Sequence, residues 1–169
     1  MPEWWASKGH KLGREPMGSD TRFVHVNVVA EDWRMLAQFY EEVFGCERVG
    51  PERDLSGEWL ERGTGVPGAE IRGVHLRLPG YRMGGPTLEI FEYNHQEERA
   101  ETAINRPGLA HIAFGVEDVA RAREAVLAAG GGEVGEVVTL DVPGAGRVEF
   151  VYMTDPEGNI IELQRWSEA

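Results

Sequence analysis

Residues 109–133, LAHIAFGVEDVARAREAVLAAGGGE, repeat the pattern of residues 23–47, FVHVNVVAEDWRMLAQFYEEVFGCE. The two stretches align without a gap, and His25 falls on His111. Their identity is low, but the order of apolar, acidic and glycine positions is shared throughout. Two similar supersecondary units in one chain are the simplest explanation of such a repeat.

Each repeat predicts a strand followed by a helix. In the first strand the valines at 24, 26 and 28 share one face, and His25 lies on the other; His111 has the same place in the second strand. Asp32 and Asp118 are suited to cap the helices that follow, and glycines end both helical patterns. We expect each helix to cover the apolar face of its strand and to leave the histidine face open.

Three strand-like segments follow the helix in each half, so each half reads strand, helix, strand, strand, strand, which predicts an α+β fold. The segments are CERVG, EIRGVHLRLP and PTLEIFEY in the first half, and EVVTLDV, GRVEFVYMT and NIIELQRW in the second. Residues 53–68 are interpreted as an insertion with a helical turn around Trp59. The predicted division is an N-terminal tail (1–20) with a Trp4-Trp5 pair, a first module (21–93), a linker (94–107) and a second module (108–166), the modules forming one domain.

The last strand of each half contains a glutamate between branched aliphatic residues, Glu89 in LEIF and Glu162 in IIEL. A carboxylate among such neighbours is costly to desolvate unless another group pairs with it. If His25, Glu89, His111 and Glu162 converge, they can hold one divalent metal ion per site. Imidazole and carboxylate ligands suit Zn, Ni, Co, Mn or Fe(II).

Other readings of these residues remain open. The histidines can be core residues satisfied by a carbonyl, and the glutamates can face solvent on amphipathic strands. Glu92, on the opposite face of its strand from Glu89, is the competing carboxylate. His75 alternates with arginines and is predicted at a surface or pocket rim, not as a ligand. We assign no role to His10 or His95.

Composition excludes several function classes. The formal net charge is −12, with 29 acidic and 17 basic residues, so a phosphate backbone is repelled and nucleic acid is not an expected partner. No stretch approaches the roughly 20 apolar residues of a membrane span, and the N-terminus lacks the apolar region of a signal peptide. The single Cys46 fits a reducing compartment, and we expect a cytoplasmic protein.

At these residues the chain resembles the vicinal oxygen chelate superfamily, which includes glyoxalase I, methylmalonyl-CoA epimerase, extradiol dioxygenases and the bleomycin and fosfomycin resistance proteins. The resemblance covers roughly residues 21–166. It is carried by HVNVVAEDWRMLAQFYEEVFG, LEIFEY, GLAHIAFGVEDV and DPEGNIIEL. It implies paired βαβββ modules whose mixed sheets curl into a cup around one divalent metal ion, with His25, Glu89, His111 and Glu162 as ligands by position.

A glutamate at position 89 is closest to the ligand pattern of glyoxalase I. The expected function is therefore a divalent-metal-dependent lyase or isomerase that abstracts a proton next to a carbonyl of a small substrate through a metal-stabilised enediolate. Glu162 is the preferred base and Glu89 the second choice. Residues that share the faces of Glu89 and His25 are candidates for the substrate pocket: Phe23, Asn27, Phe91 and Tyr93.

Two alternative functions are an Fe(II) extradiol-type dioxygenase and a non-catalytic small-molecule-binding protein of the resistance type. The expected partners are a small-molecule substrate and a second copy of the chain. The linker 94–107 is long enough for the modules to pair within one chain or to exchange between two chains. A homodimer is predicted in either case, because curled sheets leave open edges that a partner can cover.

Overall fold

Two five-stranded sheets, one from each repeat, organise the chain. The computed structural model describes residues 21–81 and 83–167. The predicted tail 1–20 lies outside the described residues, and so do Trp4, Trp5 and His10, which belong to it. Within the described ranges, no helix is long and apolar enough to cross a membrane.

The predicted helices and strands occur in order in both halves, and each half has one strand more than predicted, Arg53–Ser56 in the first and Gly132–Glu133 in the second. The first half contains β1 (His25–Val29), α1 (Trp33–Phe44), β2 (Glu47–Arg48), β3 (Arg53–Ser56), α2 (Glu58–Thr64), β4 (Glu70–Arg77) and β5 (Thr87–Tyr93). The second half contains β6 (Ile112–Gly115), α3 (Val119–Ala128), β7 (Gly132–Glu133), β8 (Val138–Val142), β9 (Gly146–Thr154) and β10 (Ile160–Ser167).

The two sheets have the same topology. The strand orders are β1-β5-β4-β2 and β6-β10-β9-β7, with β3 beside β4 and β8 beside β9. The first strand of each half pairs in parallel with the last, and the other pairs are antiparallel. Both sheets are therefore mixed, as expected, and the glutamate strand lies directly beside the histidine strand in each.

The structure corrects the predicted extent of the insertion at 53–68. Residues Arg53–Ser56 form β3, which pairs with β4 as β8 pairs with β9, so this part belongs to the common fold. Only the connection between β3 and β4, residues 57–69, is much longer than its counterpart. In the second half, residues 143–145 connect β8 to β9. The helical turn expected around Trp59 is confirmed as α2.

Local signals position both long helices. The Asp32 side chain accepts hydrogen bonds from the backbone N–H groups of Arg34 and Met35 at the start of α1, and the Asp118 side chain accepts one from Arg121 in α3. Helix α1 ends at Gly45, whose φ of 68° is left-handed and suits glycine. The predicted caps and the stop at the end of α1 are confirmed.

Helices α1 and α3 and the apolar faces of both sheets share one core. Its members come from both halves, and the ring of Phe44 in α1 stacks on the ring of Phe114 in β6 with centroids 3.9 Å apart. The fully buried side chains of this core include Trp33, Leu36, Tyr40, Leu88, Ile90, Val119, Met153, Ile161 and Leu163. The opposite faces of the sheets, which carry the histidines and glutamates, are thereby left open as expected.

A buried hydrogen-bond cluster joins the halves at the turn between β9 and β10. The Tyr40 hydroxyl donates to Asp155 Oδ2 at 2.9 Å, and both side chains are buried. The Asp155 carboxylate also accepts hydrogen bonds from the backbone and side chain of Asn159. On the same turn, the Glu157 carboxylate accepts the backbone N–H groups of residues 31 and 32. This turn therefore fixes the start of α1 against the second half.

Tyr40→Phe is expected to lower the free energy of unfolding by about 1–3 kcal/mol, because Asp155 stays buried and loses one of its donors. Urea denaturation followed by circular dichroism measures the change. Tyr81→Phe is the matched control, because Tyr81 is exposed, and its unfolding midpoint should not move. Equal midpoints for Tyr40→Phe and the wild type would refute a stabilising role for this hydrogen bond.

Candidate metal centre

In the first module the site is centred on Glu89, a carboxylate only 8% exposed on β5. The register places Asn27 of β1 on one side of Glu89 and His75 of β4 on the other. Nδ1 of His25 lies 3.3 Å from Glu89 Oε1, and Nδ1 of His75 lies 3.2 Å from the same oxygen. Asn27 donates through Nδ2 to Oε2 at 3.4 Å. Three side chains thus surround this glutamate.

In the second module Glu162 of β10 pairs with His111, which lies just before β6. Nε2 of His111 is 3.0 Å from Glu162 Oε2. The register neighbours of Glu162 are Ala113 and Tyr152. The Tyr152 ring lies 5.1 Å from the His111 ring, and burial, with a smaller contribution from the charge of Glu162, raises the pKa of the Tyr152 hydroxyl.

Each predicted histidine therefore meets the glutamate of its own module. Among the side chains described for 21–81 and 83–167, no group of three or more His, Cys, Asp or Glu is arranged to hold a metal ion. Within one chain the four candidate ligands form two pairs and not a single ligand set. Asn27 and His111 nevertheless line the same cleft, of about 300 Å³, together with linker residues.

The remaining candidate pocket residues have different surroundings. Phe23 precedes β1 and is largely exposed. Phe91 and Tyr93 lie on the Glu89 face of β5 and pack against a small apolar cluster beneath α2. Tyr93 also lines a second cleft, of about 390 Å³, with Val29. Asn27, Phe91 and Tyr93 thus lie in or beside the candidate site.

Glu92 and His95 lie apart from this face. The Glu92 carboxylate accepts the backbone N–H of Trp33, at the start of α1, at 3.4 Å. Its strand neighbours Glu89 and Phe91 are on the opposite face of β5. His95 follows β5 and is exposed.

His75 is the residue of the site that sequence reasoning missed. Its contact with Glu89 depends on the pairing of β4 with β5, in which His75 is directly opposite Glu89. The glycine-rich turn between β4 and β5 indicated this pairing. In a hairpin centred on that turn, residues equally distant from its centre lie opposite each other, as His75 and Glu89 do. Burial lowers the pKa of His75, and this effect exceeds the opposing effect of the Glu89 charge.

The donor groups of the two pairs fit a divalent metal ion. Imidazole nitrogen and carboxylate oxygen are common ligands of divalent ions, and the two groups of each pair are in direct contact, with N···O distances of 3.3 Å for His25–Glu89 and 3.0 Å for His111–Glu162. In addition, Nδ1 of His111 is buried and has no hydrogen-bond partner within the described part of the chain. A bound group would satisfy this otherwise costly atom.

Thiol chemistry has no place in this centre. Cys46 is the single cysteine of the chain, and it is buried in the core. Burial raises its pKa to about 12, so the nucleophilic thiolate is scarce at neutral pH. The described side chains around the two glutamates offer imidazole, amide and phenol groups.

Comparisons of the sequence with known proteins find similar sequences. The sequence model of the Glyoxalase/Bleomycin resistance protein/Dioxygenase superfamily matches residues 22–163. A curated relative, a probable lactoylglutathione lyase of Vibrio parahaemolyticus serotype O3:K6, is 25% identical over 151 residues, which are 89% of this chain and 95% of that protein.

Solved structures share the fold. A glyoxalase family protein from Bacillus cereus superposes with a TM-score of 0.67 at 23% identity, over 86% of this chain and 93% of that one. A glyoxalase I mutant from Zea mays gives a TM-score of 0.57 at 23% identity, over 84% of this chain and 45% of that one. These likenesses confirm the expected glyoxalase-like α+β fold.

Proposed function

The chain belongs to the Glyoxalase/Bleomycin resistance protein/Dioxygenase superfamily, and from this premise we propose that it is a divalent-metal-dependent lyase or isomerase of the glyoxalase and epimerase type. It would abstract a proton next to a carbonyl of a small substrate. The superfamily contains binding proteins as well as enzymes, so the proposal depends on the site and not on membership.

The observation that carries the proposal is the pair of partly buried histidine–glutamate contacts, one in each module. The side chains of Glu89 and Glu162 are only 11% and 15% exposed. Imidazole and carboxylate side chains in contact with each other are the ligand types that divalent ions bind. The similarity to a probable lactoylglutathione lyase supports the same reaction class.

The proposed ligands are His25, Glu89, His111 and Glu162. A divalent ion bound there would supply a Lewis acid for the carbonyl oxygens of the substrate. Two carboxylates among the ligands favour proton transfer over oxygen chemistry, since one carboxylate can remain a ligand while the other acts as a base.

In the proposed mechanism the Glu162 carboxylate takes the proton from the carbon next to the carbonyl, exchanges it with solvent and delivers a proton to the neighbouring carbon. Glu89, which is held by three neighbouring side chains, keeps its place. Nδ2 of Asn27 donates to Glu89 Oε2, and the rings of Phe91 and Tyr93 pack on the same face against the cluster beneath α2. The substrate would enter the cleft lined by Asn27 and His111.

Two measurements test the proposal. Elemental analysis of the purified protein gives the metal content, and a screen of 2-carbonyl and thioester substrates detects turnover. We expect one divalent ion for each site and turnover without oxygen. Turnover that requires ferrous iron and oxygen would favour the dioxygenase alternative. Protein without any stoichiometric metal, and without turnover after metal addition, would favour the binding protein.

We also propose that the protein forms a homodimer in the cytoplasm. Strands β3 and β8 lie beside β4 and β9 and carry exposed side chains, so they offer open edges. In such a dimer, each histidine–glutamate pair of one chain can be joined by a pair from the second chain, which would give a set of four metal ligands. We expect light scattering at micromolar concentration to report twice the monomer mass. A monomer under these conditions would contradict the prediction.

A further inference from the structure

The two halves differ at equivalent places around their glutamates. Glu89 has Asn27 on β1 and His75 on β4 as its register neighbours. At the same places, Glu162 has Ala113 on β6 and Tyr152 on β9. The first module therefore puts a nitrogen-bearing side chain on each side of its carboxylate, and the second module puts none there.

This difference is visible in the contacts. Both carboxylate oxygens of Glu89 have a nitrogen partner: Nδ1 of His75 lies 3.2 Å from Oε1, and Nδ2 of Asn27 lies 3.4 Å from Oε2. These contacts are additional to that of His25. In the described part of the chain, the ion-pair contact of Glu162 is with His111 alone. Glu89 is therefore fixed from two sides, and Glu162 is not.

His75 is itself held in place. Its ring meets the ring of Phe91 edge to face, with centroids 5.6 Å apart. Phe91 in turn packs on the cluster of Leu60, Ala69 and Ile71 beneath α2. That helix belongs to residues 57–69, for which the second module has no equivalent. The segment specific to the first module thus supports the residue that contacts Glu89.

We propose that His75 is a positioning residue for Glu89. Its Nδ1 keeps the carboxylate in one orientation, so Glu89 remains a permanent ligand of the divalent ion, and Glu162 is the carboxylate free to act as a base. The inference rests on the proposed function. A group that hydrogen-bonds to a metal-ligating carboxylate typically contributes about 10–100-fold to metal affinity.

Three variants separate this role from packing. His75→Phe keeps a ring against Phe91 and removes the nitrogen. His75→Asn restores a nitrogen, Nδ2, which is the same number of bonds from the backbone as Nδ1 of histidine. His95→Phe makes the same substitution at an exposed histidine away from Glu89. The measurements on the full chain are the dissociation constant of Co²⁺, by chelator competition, and the visible absorption spectrum of the Co²⁺-loaded protein.

We expect His75→Phe to weaken Co²⁺ binding by about 10–100-fold and to shift the Co²⁺ spectrum. His75→Asn should recover most of the affinity, and His95→Phe should match the wild type. Should His75→Phe fail to fold, His75→Tyr, which copies the second module, takes its place with the same expected loss.

Wild-type affinity and an unshifted spectrum in His75→Phe would overturn the inference about His75 and leave the proposed function standing. An equal loss in His75→Asn would also overturn it, because the nitrogen would then not matter. A wild-type protein that binds no Co²⁺ would overturn the proposed function together with the inference.

Discussion

Glu162→Gln is expected to slow the exchange of the substrate C–H proton with solvent by about 10²–10⁴-fold, the usual contribution of a general base. The amide has nearly the shape of the carboxylate and keeps one oxygen ligand, but it has no basic site. The variant should therefore retain appreciable metal. Deuterium incorporation from D₂O, followed by NMR, measures the exchange.

Glu124→Gln is the matched control for this substitution, because Glu124 is exposed on α3, which packs on the face of β10 opposite to Glu162. It should exchange at the wild-type rate. If Glu162→Gln retains the wild-type rate with full metal content, Glu162 is not the base. Glu89→Gln would then be the next variant to measure.

His111→Ala is expected to lose most of the bound metal, with a weakening of more than about 100-fold, because removing a ligand should cost more than removing its supporting group. The fold should survive, since His111 lies outside the buried core. Elemental analysis after dialysis and circular dichroism provide the two measurements.

His95→Ala is the control for this loss, and it should retain metal. His25→Ala should behave as His111→Ala does, because each histidine contacts the glutamate of its own module. Unchanged metal content in both His25→Ala and His111→Ala would show that the metal is bound elsewhere.

Much of the fold could be predicted because the repeat appears twice. The shared pattern of residues 23–47 and 109–133 predicted β1, α1, β6 and α3, and the Asp32 and Asp118 caps fixed where the helices begin. The glycines and the proline of residues 53–68 predicted an insertion, and the short, mostly polar segment Arg53–Ser56 within it forms β3. Such a strand is stabilised by pairing with β4, and its own residues give little sign of it.

The site was predictable within each module but not between modules. His25 and Glu89 meet because the first and last strands of a module are adjacent, and the same holds for His111 and Glu162. Local patterns carry no information on how two such pairs approach each other, since that depends on packing between modules or chains. His75 was predicted at a surface or pocket rim, and its contact with Glu89 depends on the register of β4 against β5.

The most direct test of the central claim is a turnover experiment in D₂O under strict exclusion of oxygen, with metal-loaded wild-type protein and the 2-carbonyl or thioester substrate found by screening. We expect full activity without oxygen and one deuterium in the product at the carbon that receives the proton. A reaction that stops without oxygen, and that consumes oxygen in step with substrate when air is admitted, would contradict proton abstraction by a ligand carboxylate.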